Sequence, residues 1–330
     1  MNKRENNYDL LRILSAVGVV FIHINQYYMG ITKQLTPTVY VIQDIFEVFT
    51  RFGVPCFIMI SGAFLLSNPK NKEYGRFYKR SFVRTILPFL IVSASYLVFD
   101  ITKAVIAKES LSSVFLTYLE GNQYNLWFIP MITGLYLITP VVLRFKESVS
   151  TKAFGITSFV WLALAVAFIN TETYLFAASY AKVFAYLGYF MVGSFLYDNA
   201  RGKVNTGLLA VIAFSMYTLR IVLRSTGWTW IFIHKNVYFY PTIVIGGIAV
   251  FMFFGNIRFP FSLRKPASVM LYVYLFHTFV FRLVLRIIGN RIILEEATTA
   301  FLMSLFCFTV SVIMGIVFKK LDGKLERKLL

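Results

Sequence analysis

The sequence is short of charge, and above all of negative charge. Of its 330 residues only 15% are charged, and 15 acidic residues stand against 33 basic ones. Of the whole chain 58% is hydrophobic, including the 18% that is aromatic, and its mean hydropathy is +0.69. That composition excludes a soluble globular protein and predicts an integral membrane protein. Cysteine is also scarce. Cys56 and Cys307 each lie inside an apolar run, where a thiol behaves as a small hydrophobe and says little about redox compartment. No G-x-S-x-G, P-loop or H-E-x-x-H occurs, nor a Cys/His cluster at metal-ligand spacing, so a hydrolase elbow, ATP-driven pumping and structural zinc lose support. Internal repeats, linkers and low-complexity stretches are missing as well. The expectation is one domain over residues 1–330 with no appended soluble domain.

The excess of positive charge, +18 with a pI near 9.8, does not point to nucleic acid. The basic residues fall between apolar runs and not along one solvated face or arm. Lys3 and Arg4 ahead of an apolar run imitate a signal peptide, but Arg12 inside the run, its length and the lack of an A-x-A-like cleavage site predict a retained anchor.

What the chain does have is long apolar runs. Segments of about 20 such residues can cross a bilayer as helices. They fall at 10–29, 40–66, 82–102, 125–143, 153–170, 182–198, 206–223, 237–255, 267–289 and 298–318. The predicted fold is therefore all-α, a polytopic bundle of about ten transmembrane helices. With the N-terminus inside, 21 Lys and Arg lie in inner segments and seven in outer ones, which predicts a cytoplasmic N-terminus and C-terminus.

The first run, LLRILSAVGVVFIHINQYYM, carries Arg12 and His23. Eleven positions on a helix turn through about 1100°, close to three full turns, and rise roughly 16 Å. The two therefore share one face at two depths. Ionisable groups inside a membrane mark a pathway or reactive site by default. The plainer readings are a snorkelling arginine and a histidine satisfied by packing.

The second run carries Asp44, Glu47 and Arg51, three and four residues apart on one face. A carboxylate beside His23 would fix its tautomer and raise its basicity, whereas a Glu47–Arg51 ion pair would only balance charge. The run ends in GVPCFIMISGAFLL, where Pro55 can kink it and Ser61-Gly62 permits close helix approach. The densest basic stretch follows, KNKEYGRFYKRSFVR at 70–84, suited to the phosphates of a nucleotide-like donor or to anionic lipid headgroups. In YNLWFIPMITGLYLITP, residues 124–140, Trp127, Phe128 and Tyr136 read by default as an interfacial aromatic belt, and Pro130 and Pro140 as bends or ends. The ninth run, YVYLFHTFVFRLVLR, puts His277 in mid-membrane with Arg282 and Arg286 towards the outer side. With Arg51 and Arg220 these make an outer concentration of positive charge suited to a lipid-linked phosphate or an acidic acceptor, although headgroup snorkelling explains some of it. His234 falls in a predicted outer loop.

Taken together, Arg12 and His23 in the first run, VPCFIMISGAFLL, the basic entry before Pro88, the WF and GLYLITP pair and the YLFH of the ninth run resemble the membrane acyltransferase family 3. They occur in that family's order across most of the chain. The resemblance implies transfer of an acyl group, most often acetyl, from cytoplasmic acyl-CoA (acetyl-CoA) to a hydroxyl of a cell-surface or lipid-linked carbohydrate. It implies a multi-pass protein of the bacterial plasma membrane, with acyl-CoA as co-substrate and no bound cofactor or metal. On this basis His23 is expected as general base or acyl carrier, Arg12 as its partner, and Asp44 or Glu47 as its orienting acid. Arg76, Lys79, Arg80 and Arg84 are the expected donor-binding set, although the family's two arginines three apart here stand four apart, as Arg80 and Arg84. Arg51, Trp127, His277 and Arg282 are expected near the acceptor. The rival readings are a transporter or flippase for a glycan or small solute, and a structural partner in a glycan-export complex. The sequence leaves the acceptor and the oligomeric state open.

Overall fold

Inside hydrocarbon every backbone N–H and C=O needs a partner within its own segment, a need that a helix meets along its length. The computed structural model describes residues 6–31, 37–119, 126–169, 182–227, 236–288 and 297–329. Among these, every regular element is helical, and helices occupy all ten of the expected segments. They begin with α1 (Asn6–Ile31), α2 (Pro37–Thr50) and α3 (Gly53–Leu65). After a 3₁₀ turn come α4 (Tyr74–Ser81), a π-helical turn (Phe82–Ile86), α5 (Leu87–Ala107), α6 (Leu111–Leu119), α7 (Phe128–Ser148) and α8 (Thr151–Ile169). The set closes with α9 (Lys182–Asn199), α10 (Thr206–Ser225), α11 (Pro241–Asn256), α12 (Arg264–Ala267), α13 (Met270–Ile288) and α14 (Ala297–Leu329).

Among the described residues, eight helical segments are long and apolar enough to cross a membrane. Neither α9 nor α11 is among them, for different reasons. α11 has 16 residues. α9 is long enough but carries Tyr186, Tyr189 and Tyr197, a mixture suited to a helix surrounded mostly by protein, and apart from Phe184 every residue from Val183 to Ser194 is buried.

The expected second run is broken at Arg51–Phe52 into α2 and α3. Pro55 is not the breaker. It lies in the first turn of α3, where a missing N–H costs no intrahelical bond. Close approach through small residues, expected at Ser61-Gly62, holds the centre together. A Cβ on Gly62 would run into the Phe190 carbonyl of α9, and one on Gly193 of α9 into the Met59 backbone of α3. Glycines also seat α1, since a Cβ on Gly18 would lie 2.9 Å from the Thr50 carbonyl oxygen and one on Gly53 2.8 Å from that of Ser15. Such contacts let helix backbones meet where lipid supplies no hydrophobic drive to associate. α1 packs against α2, α3, α11, α12, α13 and α14, and so sits at the middle of the bundle.

One half-buried cation also ties helices together. Lys146 of α7 donates to the Leu66 carbonyl (2.9 Å), Ser194 Oγ (2.8 Å) and Asp198 Oδ2 (2.5 Å), linking the end of α3 to α9.

Candidate active site

Because α1 is central, whatever its Arg12–His23 stripe faces is an interior surface. At the Arg12 end that surface is a cavity of about 920 Å³, walled by α1, α3, the π turn, α7, α12, α13 and α14. Arg12 donates to Asp9 one turn earlier at 2.9 Å, and its guanidinium lies 5.9 Å from the Phe64 ring. Around the same cavity stand Arg84, Arg264, Lys265 and Lys319, against one acid, Asp322. Tyr272 donates to Asp322 Oδ2 at 2.5 Å, while Oδ1 is buried without a partner. The rest of the wall is apolar and aromatic, with Val19, Val54, Phe57, Phe128, Tyr136 and Tyr274. Val19 is four residues before His23, about one helical turn or roughly 6 Å along α1.

Beyond that turn two imidazoles meet. The rings of His23 and His277 stack with centroids 5.3 Å apart and planes at 29°. His277 is wholly buried, whereas His23 is partly exposed. His277 Nδ1 lies 2.7 Å from the Tyr274 carbonyl oxygen and Nε2 lies 3.1 Å from Thr278 Oγ1. Tyr274 joins this pair to the cavity, since its ring lies 5.7 Å from His277 and its hydroxyl accepts the Phe128 N–H at 3.3 Å.

The carboxylates expected beside His23 face cations. Glu47 pairs with Arg51 and also accepts from Gln26 Nε2 at 3.4 Å, and Asp44 pairs with Arg224 of α10. Neither acid hydrogen-bonds His23 among the described residues. A buried carboxylate is stabilised far more by an adjacent guanidinium than by a neutral ring, which accounts for the pairing.

Of the basic stretch, Arg84 reaches the cavity wall, and Arg76, Lys79 and Arg80 do not. Arg76 instead pairs with Glu73 at 2.8 Å, with 65% of its side chain exposed. Trp127 lies outside the wall, with its ring 5.9 Å from Tyr186, 6.2 Å from Tyr238 and 5.0 Å beneath Lys182 Nζ. Arg51 lies 5.6 Å from the Tyr238 ring, so Trp127 and Arg51 border one aromatic group. Arg282 is on the exposed side of α13. Arg220 is not a snorkelling residue, being 8% exposed with its guanidinium 3.8 Å from the Tyr240 ring. His234 lies outside the described residues. Sequence reasoning missed Arg264, Lys265, Lys319, Asp322, Tyr136 and Tyr274 as cavity residues. The first three were visible only as inner-side charge, and nothing in their spacing links them to Arg12.

The geometry can hold a polyanion at one end and offer a proton acceptor near the other. It lies inside the bundle of a helical membrane protein. The family model for the acyltransferase domain of acyltransferase family 3 matches residues 5–318, and the chain belongs to that family of membrane acyltransferases. No curated protein and no solved structure matched the chain.

Proposed function

We propose that this acyltransferase is an O-acetyltransferase of the bacterial plasma membrane, carrying acetyl from cytoplasmic acetyl-CoA to a hydroxyl of a cell-surface or lipid-linked carbohydrate. The observation that supports this most is the polarity of the 920 Å³ cavity, with Arg12, Arg84, Arg264, Lys265 and Lys319 around it and an apolar wall leading towards His23. Guanidinium and ammonium groups bind phosphate through charge-assisted hydrogen bonds, so the donor's charged end belongs among them. Its thioester arm then runs past Val19 and alongside Phe57 and Phe128, which line the same wall. All five cations come from segments that the distribution of Lys and Arg assigns to the cytoplasmic end. With α9 and α11 read as spans alongside the eight longer ones, the count is even and both termini are cytoplasmic.

His23 acts as general base. It takes the acceptor's hydroxyl proton as that oxygen attacks the thioester carbonyl. The tetrahedral intermediate expels the CoA thiolate, which leaves with the same proton, so the products are an ester and CoA thiol. On the acceptor side, the Trp127 face and Arg51 suit a sugar ring and an anionic substituent.

The test supplies radiolabelled acetyl-CoA and candidate saccharide acceptors to purified protein, comparing the wild type with His23→Ala and Arg12→Ala variants that insert normally. Label should pass covalently to a saccharide in the wild type, with none transferred by His23→Ala and a raised donor KM for Arg12→Ala. Full transfer by the His23 variant would exclude this mechanism.

A further inference from the structure

Two imidazoles in contact raise the question of which does the chemistry, and the hydrogen bonds separate them. The Tyr274 carbonyl oxygen, 2.7 Å from His277 Nδ1, can only accept, so Nδ1 carries a hydrogen. Nε2 then has a lone pair and no hydrogen, and it accepts the Thr278 hydroxyl at 3.1 Å. Thr278 is itself 6% exposed and His277 is wholly buried. Both nitrogens of His277 are thus occupied by its own helix, away from solvent, with neither available to take a proton from an acceptor hydroxyl or to hold an acyl group.

His23 differs on each count. It is partly exposed, and the described residues give its ring nitrogens no hydrogen-bond partner. The carboxylates that would ordinarily orient a catalytic histidine are held by Arg51 and Arg224. Among the described residues the ring contact that can fix its plane is with His277, whose centroid lies 5.3 Å away with the planes inclined by 29°.

We infer that His277 is a positioning residue: held in the Nδ1–H tautomer by the Tyr274 carbonyl and Thr278, it presents a fixed ring face that orients His23 by stacking, in place of a carboxylate. This rests on the reading of His23 as general base. The hydrogen bonds turn a side chain free to rotate about two torsions into a rigid surface. A base aligned by a ring face keeps both nitrogens free of a fixed partner, so the one that takes the acceptor's proton can return it to the leaving thiolate. A carboxylate partner would occupy one of them.

The experiment has two parts. In the first, protein labelled with ¹⁵N-histidine and carrying His234→Gln has two ring systems to observe. His277 is assigned by its disappearance in His277→Phe or, should that variant not fold, by disappearance of the other signals in His23→Ala. The expected spectrum shows His277 with a protonated Nδ1 and an unprotonated Nε2. An Nε2–H tautomer or a doubly protonated His277 overturns the proposal. In the second part, steady-state transfer is measured for His277→Phe, which keeps a ring face and loses both nitrogens, and for His277→Ala. The Phe variant should lose about 3- to 10-fold in kcat and the Ala variant about 10- to 100-fold, each with donor KM unchanged, the range expected for misorienting a reacting group. Added imidazole should restore turnover to His23→Ala and not to His277→Ala. Rescue of His277→Ala, or loss of all activity in a folded His277→Phe protein, overturns it. Activity surviving in His23→Ala would instead remove the general base while leaving the tautomer result intact, so the two failures are told apart.

Discussion

Arg51 and Glu47 close an ion pair one helical turn apart at the end of α2, at 5% and 8% exposure. Arg51 also lies 5.6 Å from the Tyr238 ring, so removing the carboxylate would strand a buried guanidinium among aromatic groups. Breaking a buried pair on one side costs about 3 to 5 kcal/mol, whereas replacing both partners with apolar residues of similar volume is often neutral. Glu47→Ala should therefore lower the thermal midpoint in detergent sharply, and Arg51→Met with Glu47→Leu should recover most of the loss. If the pair only balances charge, the double variant also keeps acyl transfer. Transfer lost from a stable double variant would restore Glu47 or Arg51 to the chemistry.

The cations proposed to bind the donor divide by position and not by sequence proximity. Arg84→Gln, Arg264→Gln, Lys265→Met and Lys319→Met each remove a cation from the cavity wall. A charge-assisted bond is worth about 1.5 to 3 kcal/mol, so each change should raise the KM for acyl-CoA by roughly 10- to 100-fold with kcat little altered. Arg76→Ala and Lys79→Ala, outside that wall, should change it by less than about 2-fold, as expected for exposed charges. Equal effects in both sets would move the donor site to the α4 surface.

Asp322 should act in the opposite sense. It is the single acid in a wall with five cations, and its Oδ1 has no partner. Asp322→Asn keeps an oxygen for the Tyr272 hydroxyl and removes a negative charge that repels phosphate. Donor KM should fall by about 2- to 5-fold, the scale of one screened charge a few ångströms away. A rise in KM would mean that Asp322 accepts a hydrogen bond from the donor.

Gly62→Ala and Gly193→Ala should each reduce the yield of folded protein and the thermal midpoint, because each new methyl would meet backbone that cannot swing aside. Gly75→Ala is the control, with nothing within 4 Å of its Cβ. At that exposed helical position alanine should be neutral or stabilising by up to about 1 kcal/mol. Similar losses at all three sites would show that helix propensity, and not the α3–α9 contact, sets the sensitivity.

The helices were legible because lipid imposes one solution on the backbone, and runs of apolar residues mark where it applies. What composition could not reveal was whether a helix faces lipid or protein. α9 has the tyrosines of an interior helix, and that reason shows only once α3 and α8 are seen packed around it. Arg12 and His23 were legible as a stripe, since a spacing of eleven on a helix is a geometric statement needing no neighbours. The partners of that stripe come from α12, α13 and α14, more than 200 positions away. Which partners Asp44 and Glu47 take was hidden for a related reason: local spacing put them near the right depth and offered the Glu47–Arg51 pair, but Arg224, which pairs with Asp44, arrives from α10.

If the donor enters as proposed, the wall of five cations and one acid sets how quickly the protein meets it. Like charges gathered at a low-dielectric opening focus the field outwards, drawing an anionic cosubstrate in faster than neutral diffusion would. That pull is confined to about 10 Å at 0.1 M salt and extends to about 30 Å at 0.01 M. Capture of the donor should therefore slow as ionic strength rises. Proton removal by His23, inside the bundle and shielded from those ions, should keep its rate.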